Sequence, residues 1–180
     1  MKITKMEVVH VRPRYSFLKI HTDEGLTGIG EACLEGRARV VEMAIRDLEY
    51  LLIGQDPRRI EHLWNLMYRG TFYRAGAILA SAISAVDQAL WDILGKSLQL
   101  PVHALLGGAV RDRIRVYKHV NTDERIDVDD TERIVELAKA AVQEGFTMIK
   151  TALPGPAHIV ESKAFIDRQV KRMAALREAI

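Results

Sequence analysis

The sequence has few of the features that mark secreted or membrane proteins. Its 180 residues include one cysteine, Cys33, so an internal disulfide is excluded and an oxidising compartment gains no support. No uninterrupted apolar run approaches the ~20 residues that cross a bilayer. Met1 to Glu7 contain no apolar segment and no small-residue cleavage site, so we expect no signal peptide. These features predict a cytoplasmic protein without a membrane partner.

Neither sign of charge predominates. There are 26 lysines and arginines against 24 aspartates and glutamates, and the two signs are interspersed along the chain. The densest basic stretch, residues 111–115, places its arginines at alternate positions, which fits a solvated strand face better than a phosphate-binding tract. We therefore expect no nucleic-acid partner. Hydrophobic residues make up 48% of the chain, which is typical of a globular core.

Three segments near the N-terminus have the apolar content of β-strands: Met1–Val11, Tyr15–Thr22 and Leu26–Ala32. Short loops between consecutive strands predict an antiparallel meander. Apolar residues then recur at helical spacing over 40–52, 57–67 and 77–96. At the start of the second of these helices, Asp56 is predicted to be the cap and Pro57 the first helical residue.

The pattern changes after Gly107 and Gly108. We predict a strand over Arg113–Val120, a helix over Thr131–Glu144, a strand over Phe146–Thr151 and a helix from Ile159 to the end. Alternating strands and helices are typical of parallel βαβ construction. The sequence therefore predicts an α+β domain over residues 1–110, followed by the start of an α/β barrel domain over residues 111–180.

The second of these domains is small for its architecture. A closed barrel of eight βα units takes at least ~200 residues, and two units cannot cover both faces of a sheet or remove its edges. We therefore expect exposed apolar surface on these two units. They require more chain, a partner chain or docking on the first domain.

Two short patterns suggest sites that the sequence does not support. Gly28 and Gly30 lie in the meander rather than at a strand-to-helix turn, and Cys33 occupies the place of the third glycine, so a dinucleotide fingerprint is not indicated. Close backbone packing or a bulge explains these glycines better. The six histidines show no metal-binding spacing, and no metal ligand is assigned to any of them.

Several stretches resemble the enolase superfamily. The second and third strands of its capping domain resemble residues 17–31, its first helix and following turn resemble residues 36–57, and its long helix resembles residues 81–93. Residues 101–108 are similar to the segment that leads into the barrel. Within the superfamily, residues 35–39 and 67–74 resemble the mandelate racemase branch, and there the acid-sugar dehydratases of the D-galactonate dehydratase-like group.

The resemblance implies a fold and a reaction. The fold is an α+β capping domain, a three-stranded antiparallel meander with helices, followed by the first two βα units of a TIM-type barrel. In the complete enzyme, Mg²⁺ binds a sugar acid, a base removes the proton next to the carboxylate, and hydroxide leaves from the neighbouring carbon. Three acidic ligands and the catalytic bases are expected beyond Ile180. No catalytic residue and no metal ligand is therefore assigned within this chain, and none of its residues is expected to bind Mg²⁺ alone.

The same resemblance implies substrate contacts on two loops. Arg12, Arg14 and Tyr15 lie on the loop between the first two strands, which in the family reaches over the barrel mouth. Arg14 offers a donor fork to a carboxylate or hydroxyl, and the alternative is a solvated turn. Glu35 and Arg37 lie on a second loop that faces the site in the family.

Two further candidates lie at the ends of the predicted barrel strands. Lys150 is expected to contact the substrate carboxylate, and the alternative is a lysine whose stem packs while its head is solvated. Many relatives carry Lys-x-Lys here, but Ala152 stands where the second lysine would be. His119 is the histidine best placed for acid-base chemistry, although no partner is identifiable and a structural role is favoured.

Two functional readings follow. The first is the N-terminal portion of an acid-sugar dehydratase, which acts on a small-molecule sugar acid and assembles as a homo-oligomer when complete. The second is a non-catalytic product of a truncated or split gene that serves as an interaction or assembly module.

Overall fold

The chain forms two compact units, Met1–Val110 and Arg111–Ile180. The structure is a computed structural model, and it describes residues 1–11, 14–70, 72–74, 76–120, 130–151 and 160–180.

The first unit opens with an antiparallel sheet. Strands β1 (Ile3–Val11), β2 (Tyr15–Thr22) and β3 (Thr27–Glu31) pair in the order β1-β2-β3. This is the order of the predicted meander. β2 is the central strand, and its side chains alternate between core and surface because successive side chains point to opposite faces. Its core-facing residues are Ser16, Leu18, Ile20 and Thr22.

Four helices complete this unit: α1 (Ala38–Leu52), α2 (Ile60–Arg69), α3 (Ala77–Leu98) and α4 (Val102–Leu105). The long helix α3 supplies much of the core, since Val86, Ala89, Leu90 and Ile93 are fully buried. α1 and α2 each contribute one apolar face at helical spacing. Buried residues on these faces are Val41, Ile45, Leu48 and Leu52 in α1, and Ile60, Leu63 and Met67 in α2.

Helix α3 lies unusually close to strand β3. A Cβ atom on Gly30 would lie 1.9 Å from the carbonyl oxygen of Ala85, and one on Gly28 would lie 2.0 Å from that of Ala89. Only glycine therefore fits at positions 28 and 30. The predicted close packing of these glycines is confirmed.

A row of α3 side chains binds the outer edge of β3. The Ile29 amide donates to Asp92 Oδ2 at 2.8 Å, and the Glu31 amide donates to Gln88 Oε1 at 2.9 Å. Lys96 Nζ donates to the Thr27 carbonyl at 2.7 Å and pairs with Asp92. Spacing of four residues puts these three side chains on one helix face. They satisfy backbone groups that an edge strand otherwise leaves open to pairing with another chain.

Helix α3 is also the one helix in the described ranges that is long and apolar enough to cross a membrane by length and composition. Core helices of globular proteins pass the same test. Val86, Ala89 and Ile93 are buried in the first unit, so we assign the apolar character of α3 to packing.

The predicted start of α2 is wrong. The helix begins at Ile60, and the Arg59 backbone before it is non-helical, with φ −84° and ψ 52°. Asp56 instead stabilises a separate turn: its carboxylate accepts the Arg58 amide at 3.0 Å and pairs with the Arg58 guanidinium at 2.7 Å. The carboxylate is thus engaged four residues before the helix starts.

This turn predicts a pH dependence. Hydrogen bonding to the Arg58 guanidinium lowers the pKa of Asp56 from 3.8 to about 2. A group whose pKa is lower in the folded state contributes stability above its unfolded pKa and loses that contribution as pH falls through the folded pKa. We expect Asp56→Asn to destabilise the chain at pH 5 and to have a progressively smaller effect between pH 4 and about 2. Urea unfolding at several pH values measures this, with Asp47→Asn on the exposed side of α1 as control; a difference that does not change with pH would contradict it.

The described part of the second unit contains two parallel strands, β4 (Lys118–His119) and β5 (Ile149–Lys150), and two helices, α5 (Thr131–Gln143) and α6 (Lys163–Ala179). Asp130 and Ser162 cap the helices, since each side chain accepts an amide hydrogen bond from the first turn. A small core joins the elements and consists of Val120, Ile134, Ala138, Ala141 and Leu176.

Both strands are shorter than predicted. Of Arg113–Val120 only Lys118–His119 forms a strand, and of Phe146–Thr151 only Ile149–Lys150 does. Upstream of β4, the chain contacts the segment before β5 through the Arg115 side chain rather than through backbone pairing. Arg115 Nε donates to Thr147 Oγ1 at 2.7 Å. The last helix begins at Lys163, whereas Ile159, where it was predicted to start, lies outside the described residues.

Helix α6 buries two polar side chains beside Leu176 and exposes three large apolar ones. Gln169 and Arg172 are buried, whereas Ile166, Val170 and Met173 are exposed at 52%, 62% and 47%. Spacing of four and three residues puts the exposed three on one face. Ile114 and Val116 before β4 are also exposed. The expected exposed apolar surface is therefore present on the described part of this unit.

Candidate functional site

The two candidate loops of the first unit meet through an ion pair. Arg14 ends the β1–β2 loop, and Glu35 lies in the β3–α1 loop, residues 32–37. Arg14 Nη1 donates to Glu35 Oε1 at 3.0 Å. Both side chains are largely exposed, so the pair adds little to stability and is open to competition from a ligand carboxylate. Arg12, the third candidate on the first loop, lies outside the described residues.

The other two candidates, Tyr15 and Arg37, lie close in sequence to the two members of the Arg14–Glu35 pair. Tyr15 is the first residue of β2, is about half exposed, and stacks on Phe17 with ring centroids 6.5 Å apart. Arg37 precedes α1, where its carbonyl accepts the amides of Val40 and Val41 while its side chain is exposed. The backbone of Arg37 therefore has a defined role as the start of the helix, whereas its guanidinium extends into solvent.

Cys33 connects the two loops. Its Sγ accepts the Ser16 amide at 3.1 Å and lies 3.7 Å from the Arg14 carbonyl oxygen. Burial raises the pKa of the Cys33 thiol, so the protonated form is favoured. The thiol serves here as a hydrogen-bonding group between the two loops.

A serine, a histidine and a glutamate form a chain of hydrogen bonds beside the first loop. His10 Nδ1 is 2.7 Å from Ser16 Oγ, and His10 Nε2 is 2.8 Å from Glu42 Oε2. The order resembles a hydrolase triad, but Ser16 is 1% exposed and cannot meet a substrate. The hydrogen bond from His10, followed by that from Arg46, lowers the pKa of Glu42. We assign the group a structural role that ties β1, β2 and α1 together.

In the second unit, two candidates lie side by side at the strand ends. His119 and Lys150 are paired positions in the parallel β4–β5 register. Lys150 Nζ lies 5.7 Å from the centre of the Tyr117 ring. Val120 and Ile149 belong to the core beneath the helices, so alternation along each strand directs His119 and Lys150 to the opposite face of the sheet. His119 Nε2 is buried, and no described group hydrogen-bonds to it.

Lys118 differs from Lys150 although it lies next to it in the sheet. Its ammonium pairs with Glu144 and lies 5.4 Å from the centre of the Phe146 ring, on the helix-covered face. Lys118 is therefore a matched control for Lys150: the same side chain, on the adjacent strand, directed to the other face.

The described residues provide no cluster of metal ligands. No three His, Cys, Asp or Glu side chains within them lie close enough together to hold an ion. The donor set present does not fit a divalent cation, and no chemical step is assigned to a metal held by these residues.

A shallow cavity of about 440 Å³ lies beside Cys33, where Glu31 faces residues of α3. Its other polar lining groups are Ser81, Ser84 and Gln88. Among the described residues, the lining contains one carboxylate and no cation, so it disfavours a carboxylate ligand. None of the predicted substrate-binding residues, Arg14, Tyr15, Glu35, Arg37 and Lys150, lines this cavity.

Sequence reasoning missed the groups that hold the loops together: Cys33, Ser16, His10 and Glu42. No sequence signal marks Cys33, because its contact depends on the β2–β3 register. His10 and Glu42 are separated by 32 positions and meet only once α1 packs on β1.

Residues 4–107 match the model of the mandelate racemase / muconate lactonizing enzyme N-terminal domain. The chain belongs to this family. Its first unit is the N-terminal capping domain of the enolase superfamily, and its second unit supplies the parallel strands that start a barrel. The fold expected from the resemblance is confirmed.

Relatives and solved structures of this family match the whole chain. It is 50% identical over 179 residues to a D-galactonate dehydratase of Verminephrobacter eiseniae, covering 99% of this chain and 45% of that protein. A D-galactonate dehydratase of Ralstonia nicotianae is 49% identical with the same coverage. A crystal structure of an enolase-superfamily member from Salmonella Typhimurium aligns with a TM-score of 0.87 and 30% identity, covering 99% of this chain and 51% of that chain. The chain thus spans about half the length of the relatives it matches.

Proposed function

We propose that this chain is the N-terminal portion of a Mg²⁺-dependent acid-sugar dehydratase that acts on D-galactonate or a related aldonic acid. The observation that carries the proposal is the match to D-galactonate dehydratases at 50% identity across 99% of the chain. The reaction removes the proton next to the carboxylate and expels hydroxide from the neighbouring carbon, with net loss of water. The resulting enol takes up a proton on that neighbouring carbon as it tautomerises to a 2-keto-3-deoxy acid. Alone, the chain is proposed to be inactive, because the described residues do not fit a metal ion.

The proposed roles of the residues follow from charge and placement. Lys150 lies at a strand end, where barrel enzymes place their chemistry, and its ammonium binds the substrate carboxylate. Arg14 binds a carboxylate or hydroxyl after release from Glu35, with Tyr15, Glu35 and Arg37 shaping the pocket. Residues of the longer protein would hold the divalent ion, which would supply positive charge to the carboxylate oxygens.

Further properties belong to the complete protein. The exposed apolar side chains of Ile166, Val170 and Met173 on α6 support a unit that is completed by more βα units, as in a TIM-type barrel, since they need a covering element. We also propose a cytoplasmic location, in line with metabolic relatives, and a homo-oligomeric assembly.

The test uses the longer protein that contains this segment. With Mg²⁺ present, galactonate, gluconate, mannonate and an aldarate are assayed for 2-keto-3-deoxy acid formation. We expect one aldonate to be turned over, with galactonate favoured. Lys150→Met should lower kcat/KM roughly 10- to 100-fold, which corresponds to the loss of one charge-assisted hydrogen bond. Lys118→Met should change it less than about threefold, because that ammonium is an exposed ion-pair partner on the other face. Turnover of no sugar acid would refute the proposal.

The second candidate is a non-catalytic module. It is favoured by the same mismatch between the described residues and a metal ion. Reading the DNA downstream of codon 180 distinguishes the enzyme from the module. An open reading frame that continues with acidic residues at strand ends supports the enzyme. The lack of such a continuation in every frame supports the module.

A further inference from the structure

A cavity of about 440 Å³ lies between helices α5 and α6 of the second unit. Its described lining consists of the first residue of α5 and one side of α6: Thr131, Arg168, Gln169, Lys171, Arg172 and Ala175. Spacing of three and four residues puts positions 168, 171, 172 and 175 on one helix face. The volume is in the range of small-molecule sites. The cavity thus lies on the helix side of the sheet, whereas His119 and Lys150 face the other side.

The lining of this cavity is positively charged. It holds Arg168, Lys171 and Arg172, and none of its described residues is acidic. Other cations of the unit are held by carboxylates, as Lys163 is by Asp167 at 2.7 Å. Within the described part of the chain, neither Arg168 nor Lys171 forms an ion pair with a carboxylate. Both cations are exposed at the cavity and are therefore available to an anionic ligand.

Two polar groups of the lining are buried and held in place. Arg172 is 3% exposed and Gln169 is 8% exposed. Arg172 Nη1 donates to Gln169 Oε1 at 3.1 Å, and Arg172 Nη2 donates to Thr151 Oγ1 at 2.8 Å, next to the end of β5. Because Oε1 of Gln169 is engaged, its NH₂ group is the donor that remains, and no described group accepts from it. A fixed charge and a fixed donor at the cavity wall lower the cost of ordering when a ligand binds.

The start of α5 brings negative charge near the cavity. Asp130 caps the helix, and its carboxylate accepts the Arg133 amide at 2.9 Å. Glu132 lies in the first turn. Neither carboxylate lines the cavity, but both weaken the attraction of its three cations for an anion. The positive end of the helix is already occupied by Asp130, so attraction for an anion comes from the cations of α6.

We propose that this cavity binds the phosphate of a phosphorylated sugar or sugar acid. Arg168 and Lys171 donate to the phosphate oxygens, and Arg172 supplies a fixed buried charge beneath them. Thr131 and Gln169 bind sugar hydroxyls through the hydroxyl and NH₂ groups. Three cations favour a phosphate dianion over a carboxylate with one charge. A nucleotide is disfavoured, because the described lining contains no aromatic ring on which a base stacks.

The first arm of the test titrates the 180-residue chain with four probes, followed by amide chemical shifts at constant ionic strength. At pH 7.5 a phosphate monoester, with its second pKa of about 6, is largely a dianion. We expect glucose 6-phosphate to bind at least about threefold more tightly than inorganic phosphate or AMP, because its hydroxyls add hydrogen bonds. It should bind at least about tenfold more tightly than galactonate, which has the hydroxyls but one charge. Shift changes are expected at Thr131, Thr151 and residues 168–172.

No saturable binding of glucose 6-phosphate, or shift changes outside the second unit alone, would overturn the site. Equal or tighter binding of AMP or galactonate would overturn the ligand class. Neither result depends on dehydratase activity, so the proposed function is tested separately.

The second arm removes single charges. Arg168→Gln and Lys171→Gln change exposed side chains, so both variants should fold, and each should weaken glucose 6-phosphate binding at least about fivefold. Lys139→Gln is the matched control, because it removes an exposed lysine of α5 eight residues, or ~12 Å, beyond Thr131. It should change binding less than about 1.5-fold. An equal loss in Lys139→Gln and Lys171→Gln would show non-specific attraction and contradict the proposal.

Discussion

Replacement of Gly30 by alanine is expected to unfold the first unit, or to lower its midpoint of thermal unfolding by at least ~12 °C. The added Cβ would lie 1.9 Å from the carbonyl oxygen of Ala85 and 2.9 Å from its carbonyl carbon. Both atoms belong to the backbone of α3, so no side-chain rotation relieves the overlap. Overpacking costs typically 1–3 kcal/mol, and we expect a loss at or above ~3 kcal/mol here because the helix itself must move.

Gly36→Ala is the matched control. Gly36 has φ +70°, so alanine is strained there, but nothing lies within 4 Å of the added Cβ. The expected loss is roughly 1 kcal/mol, from backbone strain alone. Calorimetry or circular dichroism melts of both variants measure the difference. Equal melting points for Gly30→Ala and Gly36→Ala would show that the close approach of α3 to β3 is not present in solution.

The isolated 180-residue chain is expected to show no dehydration of any aldonic acid, with or without Mg²⁺. Removing a proton next to a carboxylate places negative charge on the carboxylate oxygens, and enzymes stabilise such charge with a fixed cation or preorganised donors. The described residues provide cations such as Arg14 and Lys150 but no group that fits a metal ion. Since enzymes accelerate their reactions at least ~10⁶-fold, the difference from the longer protein is easily measured.

A complementation control distinguishes an incomplete enzyme from a misfolded one. Adding a polypeptide that carries the remainder of a D-galactonate dehydratase relative should restore turnover if the chain is correctly folded. Turnover by the purified chain alone would contradict the prediction.

Much of the first unit is predictable from local patterns. The alternation of Ser16, Leu18, Ile20 and Thr22 determines which face of β2 is buried, and short loops make the meander antiparallel. Gly28 and Gly30 in a strand indicate close backbone approach. The partners of that approach, Ala85 and Ala89, come from a helix more than fifty positions away, and no local pattern reveals them.

The sequence predictions are wrong where one stretch of residues is compatible with more than one local structure. Asp56 followed by Pro57 has the residue types of a helix start, yet the carboxylate binds Arg58 in a separate turn and the helix begins at Ile60. The strands of the second unit are shorter than their apolar runs, because pairing needs a neighbouring strand and β4 and β5 have only each other in the described residues. Cys33 is missed because its contact with Ser16 depends on where β3 leaves the sheet.

The central claim is that this polypeptide has candidate substrate-binding residues but no ligands for Mg²⁺. Titration of the 180-residue chain with Mg²⁺, monitored by calorimetry and by amide chemical shifts, tests this claim most directly. We expect no saturable binding in the millimolar range and no shift changes confined to a cluster of acidic residues. Saturable binding of one Mg²⁺ by three carboxylates of this chain would contradict the proposal that the metal site lies outside it.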